Sequence, residues 1–201
     1  KYGARFKYSK FLNIIDQSDE AVTSNITTIT MRRDLRVVLN SFAEYQIGFG
    51  NEFHIKSMDG YNIKSSGFKV SGLQETVYIS DIPNTNRSTG SLFLFSVPTV
   101  NSTEPTIIRR NVGTVNYEKG IITINPLNVI SGKIKDGQTI IELSACPVSN
   151  DVIGLQDLYL QLDISTSTFE TVVDEISSGL DPAASNYVVT SSYANGNLVR
   201  S

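Results

Sequence analysis

Between Glu44 and Val70 the chain reads EYQIGFGNEFHIKSMDGYNIKSSGFKV, in which apolar and polar residues alternate and turn formers break the runs. Tyr45, Ile47 and Phe49 alternate with Gln46 and Gly48. Phe53 and Ile55 alternate with His54 and Lys56, and Phe68 and Val70 with Lys69 and Ser71. Successive side chains of a strand point to opposite faces, so this pattern sets one face on a core and the other in water. Asp59-Gly60 falls between two of the runs, where a tight hairpin turn wants residues that tolerate positive φ. The stretch therefore predicts short strands separated by turns, and it holds no recognisable reactive group.

Strands are expected to dominate from Tyr45 onward. Ser91–Val97 is apolar on both faces, Leu92 and Leu94 one way and Phe93 and Phe95 the other. That predicts a strand covered on both sides, between layers or under a partner. Val112–Tyr117 and Gly120–Asn125 predict a hairpin about Glu118-Lys119-Gly120. Lys135-Asp136-Gly137 predicts a turn before Thr139–Ala145, where Ile141, Leu143 and Ala145 share a face. Leu158, Leu160, Leu162 and Ile164 alternate most cleanly, with Tyr159, Gln161 and Asp163 opposite, and predict a strand laid on a core.

The ends of the chain read differently. Phe11, Ile14 and Ile15 recur at helical spacing and predict a helix over Tyr8–Ile15 with Ser9 as its cap. The β-branched run Asn25–Met31 predicts a strand, and Met31–Arg36 a connector into the body. Residues 181–201 are rich in Ser, Asn and Ala with few large side chains, as in an arm that needs another surface. The expected class is mainly β in the α+β sense, built of antiparallel sheets. A short N-terminal helix-plus-strand element is expected over residues 1–40, a strand-rich body over 41–176 and an extended C-terminal arm over 177–201.

A chain of 201 residues, 40% hydrophobic and 18% charged, has material for one substantial domain or two small ones. Its formal net charge of −3 argues against a general nucleic-acid binder, which carries a basic excess. No run approaches the ~18 apolar residues of a membrane-spanning helix. The basic N-terminus KYGARFKYSK has no apolar stretch behind it, unlike a secretory signal. Lys1 in place of an initial Met fits a fragment or a processed product.

The inventory for chemistry is short. His54 is the single histidine, which rules out a multi-histidine metal site, and it sits on the polar phase of its strand. Cys146, also single, has no partner for an internal disulfide and reads as a small buried residue before Pro147. Gly48-Phe49-Gly50 lacks the third glycine of a dinucleotide loop. Asp157 and Asp163 would stand ~20 Å apart on one strand, beyond the ~5–10 Å that a glycosidase pair needs. Asp16, Asp19 and Glu20 read as a solvated helix end. These absences predict a chain that is not an enzyme and takes no cofactor, metal or small-molecule substrate. Arg32, Arg33 and Arg36 form the densest basic group, with Arg109-Arg110 a second. Salt bridging to an acidic partner surface is the use expected of them.

Several runs together carry a resemblance. They are YSKFLNIIDQSDEAVTSNITTITMRRDL from Tyr8 to Leu35, Phe49-Gly50-Asn51, Ser65-Ser66-Gly67-Phe68, and PVSNDVIGLQDLYLQLDI from Pro147 to Ile164. In order and spacing they resemble the C-terminal part of the baseplate wedge protein six family of T-even-type contractile-tailed bacteriophages. The resemblance implies a structural late protein of the virion with no catalytic site, of which this chain would be a C-terminal piece. It further implies a homodimer that joins neighbouring wedges into a ring, with other baseplate wedge proteins as partners. Tail assembly in the host bacterial cytoplasm, location in the tail baseplate and a part in its rearrangement are implied too. The interface residues expected are Arg32, Arg33, Arg36, Phe93, Phe95, Tyr187 and Tyr193. The alternative is a carbohydrate- or receptor-binding β-domain of a tail fibre or adhesin. Its tyrosines and asparagines suit sugars, and its lack of Trp counts against it.

Overall fold

The computed structural model describes residues 5–97, 104–155 and 160–172, together with the backbone of 193–194 and 197–198. In these residues the alternating sequence becomes antiparallel sheet. The chain divides into two units, Lys1–Leu160 and Gln161–Ser201. In the first the elements run β1 (Arg5–Phe6), α1 (Tyr8–Asp16), β2 (Met31–Arg36), β3 (Phe42–Gly48), β4 (Lys64–Ser65), β5 (Lys69–Val70) and β6 (Tyr78–Pro83). They continue as β7 (Thr89–Ser96), β8 (Thr106–Asn116), β9 (Ile121–Ser131), β10 (Lys133–Lys135), β11 (Gln138–Ala145) and β12 (Val152–Ile153). The second unit contributes β13 (Tyr193–Ala194) and β14 (Asn197–Leu198), paired with each other.

The larger sheet has the order β3-β9-β8-β7-β6, with β5 also on β9. Strand β9 changes partner along its length: Ile121–Ile124 pair with β8, whereas Val129 and Ser131 pair with β5. A bridge between Phe68 and Val77 sets the residues entering β5 against those entering β6. Strands β9, β8, β7, β6 and β5 thus follow one another in a closed circuit, which leaves fewer free edges to pair with other chains. The smaller sheet runs β10-β11-β2, with β4 joined to β11. Because β4 and β5 lie in one short segment, that segment ties the two sheets together. The turn between β10 and β11 has Asp136 at φ 51° and Gly137 at φ 74°, the positive pair that a two-residue hairpin requires.

The core follows the alternation. Ile47 and Phe49 are buried from β3 and its end, and Ile141, Leu143 and Ala145 from one face of β11. Leu92 and Leu94 of β7 join Ile63, Val77, Ile79, Ile122 and Val129 in a cluster closed to water. Each such side chain contributes about 1.5–3 kcal/mol by burial. Strand β7 is covered on both faces, as its sequence predicts, since Phe93 on the opposite side is also buried.

Five expectations need correction. Helix α1 forms, but Ser9 lies inside it. The N-cap is Lys7, which makes no side-chain capping bond, and Asp151 Oδ1 meets the Tyr8 N–H at 2.9 Å instead. Asn25–Thr30 forms no ladder, and the strand is Met31–Arg36 itself. Propensity without a cross-strand partner does not make a strand, and Met31 and Leu35 find theirs in Ala145 and Ile141. Asp59-Gly60 is a turn, yet no hairpin ladder flanks it. The Asn62 side chain takes the backbone N–H groups of Lys56 and Ser57 in place of a strand, both at 2.8 Å.

Residues 160–164 are not a strand. Leu160, Leu162 and Ile164 are 40%, 55% and 77% exposed, and the chain bends where Asp163 O accepts from Ser167 N at 3.2 Å. Alternation shows that a segment can lie on an apolar surface, and no strand among the described residues pairs with it. Leu158, Tyr159 and Asp157 lie outside the described residues. Cys146 is only half-buried, with its sulfur 3.8 Å from Thr30 Oγ1. The expected C-terminal arm lies outside the described residues except for the β13–β14 pair.

Candidate interaction surfaces

Strand β2 sorts its arginines by the strand's own geometry. Met31, Arg33 and Leu35 lie opposite Ala145, Leu143 and Ile141, a core-facing row. Arg33 therefore runs inward and donates from Nη1 to the Gly48 carbonyl on β3, linking the two sheets. Burial lowers its pKa below the ordinary arginine value. Arg32 and Asp34 face the other way. There Lys135 Nζ reaches Asp34 Oδ2 at 2.5 Å and Lys133 Nζ reaches Glu142 Oε1 at 2.7 Å. Arg32 stands 3.6 Å from Asp34 and 3.7 Å from Glu142. The acidic partners of Arg32 are thus within the chain. Arg36 is exposed at the strand's end, beside a shallow hollow of about 370 Å³ shared with Val38, Leu39 and Thr139.

A second centre has no counterpart in the expectations drawn from sequence. Asp81 on β6 is fully buried, and its carboxylate is ringed by donors. The Ile63 N–H reaches Oδ1 at 2.6 Å, while Asn62 Nδ2 and the Tyr117 hydroxyl reach Oδ2 at 3.0 and 2.5 Å. The Asp81 carbonyl accepts from Tyr61 N–H at 3.0 Å. Burial, then the hydrogen bond to Asp81 and its charge, push the Tyr117 phenol far above its ordinary pKa. The signal was present in YISDIP, where Asp81 shares the phase of Ile79 on a strand with a buried face. A charge in that phase requires buried donors.

Above this centre lies an aromatic group. The Tyr61 ring meets Phe93 and Phe95 edge-on at 5.3 and 5.4 Å between centroids. Tyr78 stacks on Phe95 at 5.5 Å. Phe93 is 2% exposed and Phe95 half-buried, so the two phenylalanines sit together while Arg32, Arg33 and Arg36 stand on the other sheet. Tyr187 lies outside the described residues. Tyr193 begins β13, and only its backbone is described.

Apolar side chains remain on the surface elsewhere. Phe42 is 72% exposed and pairs with Asn128, so Ile130, two residues on and also exposed, shares its sheet face. Val38 and Leu39 are exposed nearby in the chain. Helix α1 has no buried residue, and Ile14 on it is 67% exposed. Arg109 and Arg110 are exposed on β8, and His54 is exposed beside the Cys146 carbonyl that accepts its N–H. Among the described residues no helix is long and apolar enough to cross a membrane. No group of His, Cys, Asp and Glu among them is placed to hold a metal.

Residues 1–34 match the family model of baseplate structural protein gp6, C-terminal domain III. The match takes in β1, α1 and β2 as far as Asp34, the first part of the longer likeness read from the sequence. No curated protein matches the chain. The family match supports a structural role in a phage baseplate, in association with other baseplate proteins. A structural family also speaks for a non-enzymatic role.

Proposed function

We propose that this chain is part of a phage tail baseplate wedge, where it self-associates as a homodimer and joins neighbouring wedges into a ring. In the same reading it contacts other wedge proteins and takes part in baseplate rearrangement. The observation that carries the reading is the match of residues 1–34 to a baseplate protein domain. The surface physics is compatible with it. Phe42, Ile130, Val38 and Leu39 are exposed apolar side chains, and Arg36 stands beside Val38 and Leu39. Interfaces of this kind bury apolar anchors inside a polar rim in which arginine is enriched.

Sedimentation equilibrium of the chain across a concentration range tests the self-association. A dimer is expected, and Phe42→Asp should weaken it while folding is unchanged, because an exposed ring contributes little to monomer stability. A wild-type chain that stays monomeric throughout would overturn the homodimer. A dimer untouched by Phe42→Asp would move the interface elsewhere.

A further inference from the structure

We infer that residues 56–62 form a strap, clipped by Asp81, that covers an aromatic face at Phe93 and Phe95 and opens without unfolding of the sheets. The strap is closed end to end by the Asn62 side chain, with Ser57 Oγ accepting from Asp59 N–H at 3.1 Å within it. Asn62 Oδ1 accepts from Lys56 and Ser57 N–H at 2.8 Å each, and Asn62 Nδ2 donates to the Ser57 carbonyl at 2.9 Å. Among the described residues every hydrogen bond from residues 56–62 to the sheets ends on Asp81: Tyr61 N–H on its carbonyl and Asn62 Nδ2 on its carboxylate. One residue of β6 thus holds the whole segment.

The strap is also strained. Tyr61 has φ 63° and Gly60 φ 102°. Positive φ is uncommon for a bulky residue and persists only where its surroundings over-determine it. At Gly60 a Cβ would come within 2.3 Å of the Asp81 carbonyl, so the segment fits only because that position is bare. What the strain sustains is the placement of the Tyr61 ring on Phe93 and Phe95.

Phe93 belongs to the face of β7 away from the central cluster, yet it is closed to solvent. Its cover includes Tyr61, a residue that is itself 38% exposed. Lifting the strap relieves the positive φ and uncovers Phe93 and Phe95 beside Tyr78. The closed circuit through β5 to β9 does not use residues 56–62 for any strand pairing. Opening and global unfolding are therefore separable events. None of this depends on the baseplate reading.

Hydrogen exchange on the whole chain tests it. The amides of Lys56, Ser57 and Tyr61 should exchange at least 10-fold faster than the β8–β9 ladder amides of Gly113–Asn116 and Ile121–Ile124, with little dependence on added urea. Asn62→Ala should speed the strap amides at least 10-fold more than it speeds the ladder, which feels the lost Asp81 donor only through global stability, and should raise binding of a hydrophobic dye. Strap amides that exchange in the wild type only at the ladder's rate would overturn the inference, and that measurement stands whether or not the variant folds. Equal acceleration of strap and ladder in Asn62→Ala would overturn it as well.

Discussion

Replacing Tyr117 by Phe removes one oxygen from the centre at Asp81 and changes almost nothing else. The hydroxyl donates to Oδ2 at 2.5 Å in a fully buried site, so its loss leaves that oxygen with Asn62 Nδ2 alone. Hydrogen bonds to charged groups are worth about 1.5–3 kcal/mol, and no water can replace this one at no cost. Tyr117→Phe should therefore lower the unfolding free energy by about 2 kcal/mol at neutral pH.

The alkaline limb makes the test sharper. Burial and Asp81 hold the phenol protonated in the folded state, well above its ordinary value, while in the unfolded chain it titrates near pH ~10. The contribution of a group raised in this way is fully present below about pH 10. It is lost as pH rises beyond that, because the unfolded state alone gives up the proton. At pH 11 the loss amounts to about 1.4 kcal/mol. The stability gap between wild type and Tyr117→Phe should accordingly narrow by about 1.4 kcal/mol between pH 9 and pH 11. Urea unfolding at both pH values, with the slope unchanged, measures it. A gap below about 0.5 kcal/mol at neutral pH, or one that holds constant into alkali, would refute the account of the site.

Other substitutions separate residues that look alike in sequence. Arg33→Ala removes the link to Gly48 and the packing of its stem, and should cost about 2 kcal/mol in urea unfolding. Arg36→Ala on the same strand should stay within about 0.5 kcal/mol; equal effects would contradict the inward placement of Arg33. Leu143→Ala, at the centre of β11 and closed to solvent, should cost about 2–5 kcal/mol, and a smaller loss would mean that the two sheets repack around it.

The sequence was most legible where the alternating residues had local partners. The β8–β9 hairpin, the turn before β11 and the two-sided burial of β7 all rest on neighbours within a few tens of residues. Legibility failed where the partner was remote. The Arg32-Arg33-Asp34 triplet reads as a connector until Leu143 stands opposite Arg33 and Glu142 beside Asp34. The apolar pattern through Leu162 and Ile164 is as regular as that of β7, but no strand in the described residues pairs with it. Tyr61 as a cover for Phe93 and Phe95 is invisible in the sequence without the positive φ that turns it back. Asp81 was legible in principle, as a charge in an apolar phase, but its donors come from two other segments, at Asn62-Ile63 and at Tyr117.

The matched segment shows the same dependence on remote partners at its strongest. Within residues 5–34 Met31 alone is buried, so the segment has almost no core of its own. Its elements are completed from the other end of the first unit: β1 by β12, α1 by the Asp151 carboxylate at its N-terminus, and β2 by β11. A helix of nine residues falls short of the ~12–15 at which isolated helices become even marginal in water. A peptide of residues 1–34 should therefore show no helix by circular dichroism. In the whole chain, Asp151→Ala should loosen α1 first, since it removes both a capping bond and a negative charge at the helix N-terminus. The loss should be about 0.5–2 kcal/mol, seen as faster amide exchange in Tyr8–Asp16 while the β8–β9 ladder holds. Stable helix in the isolated peptide, or an α1 indifferent to Asp151, would mean that the segment carries its own fold.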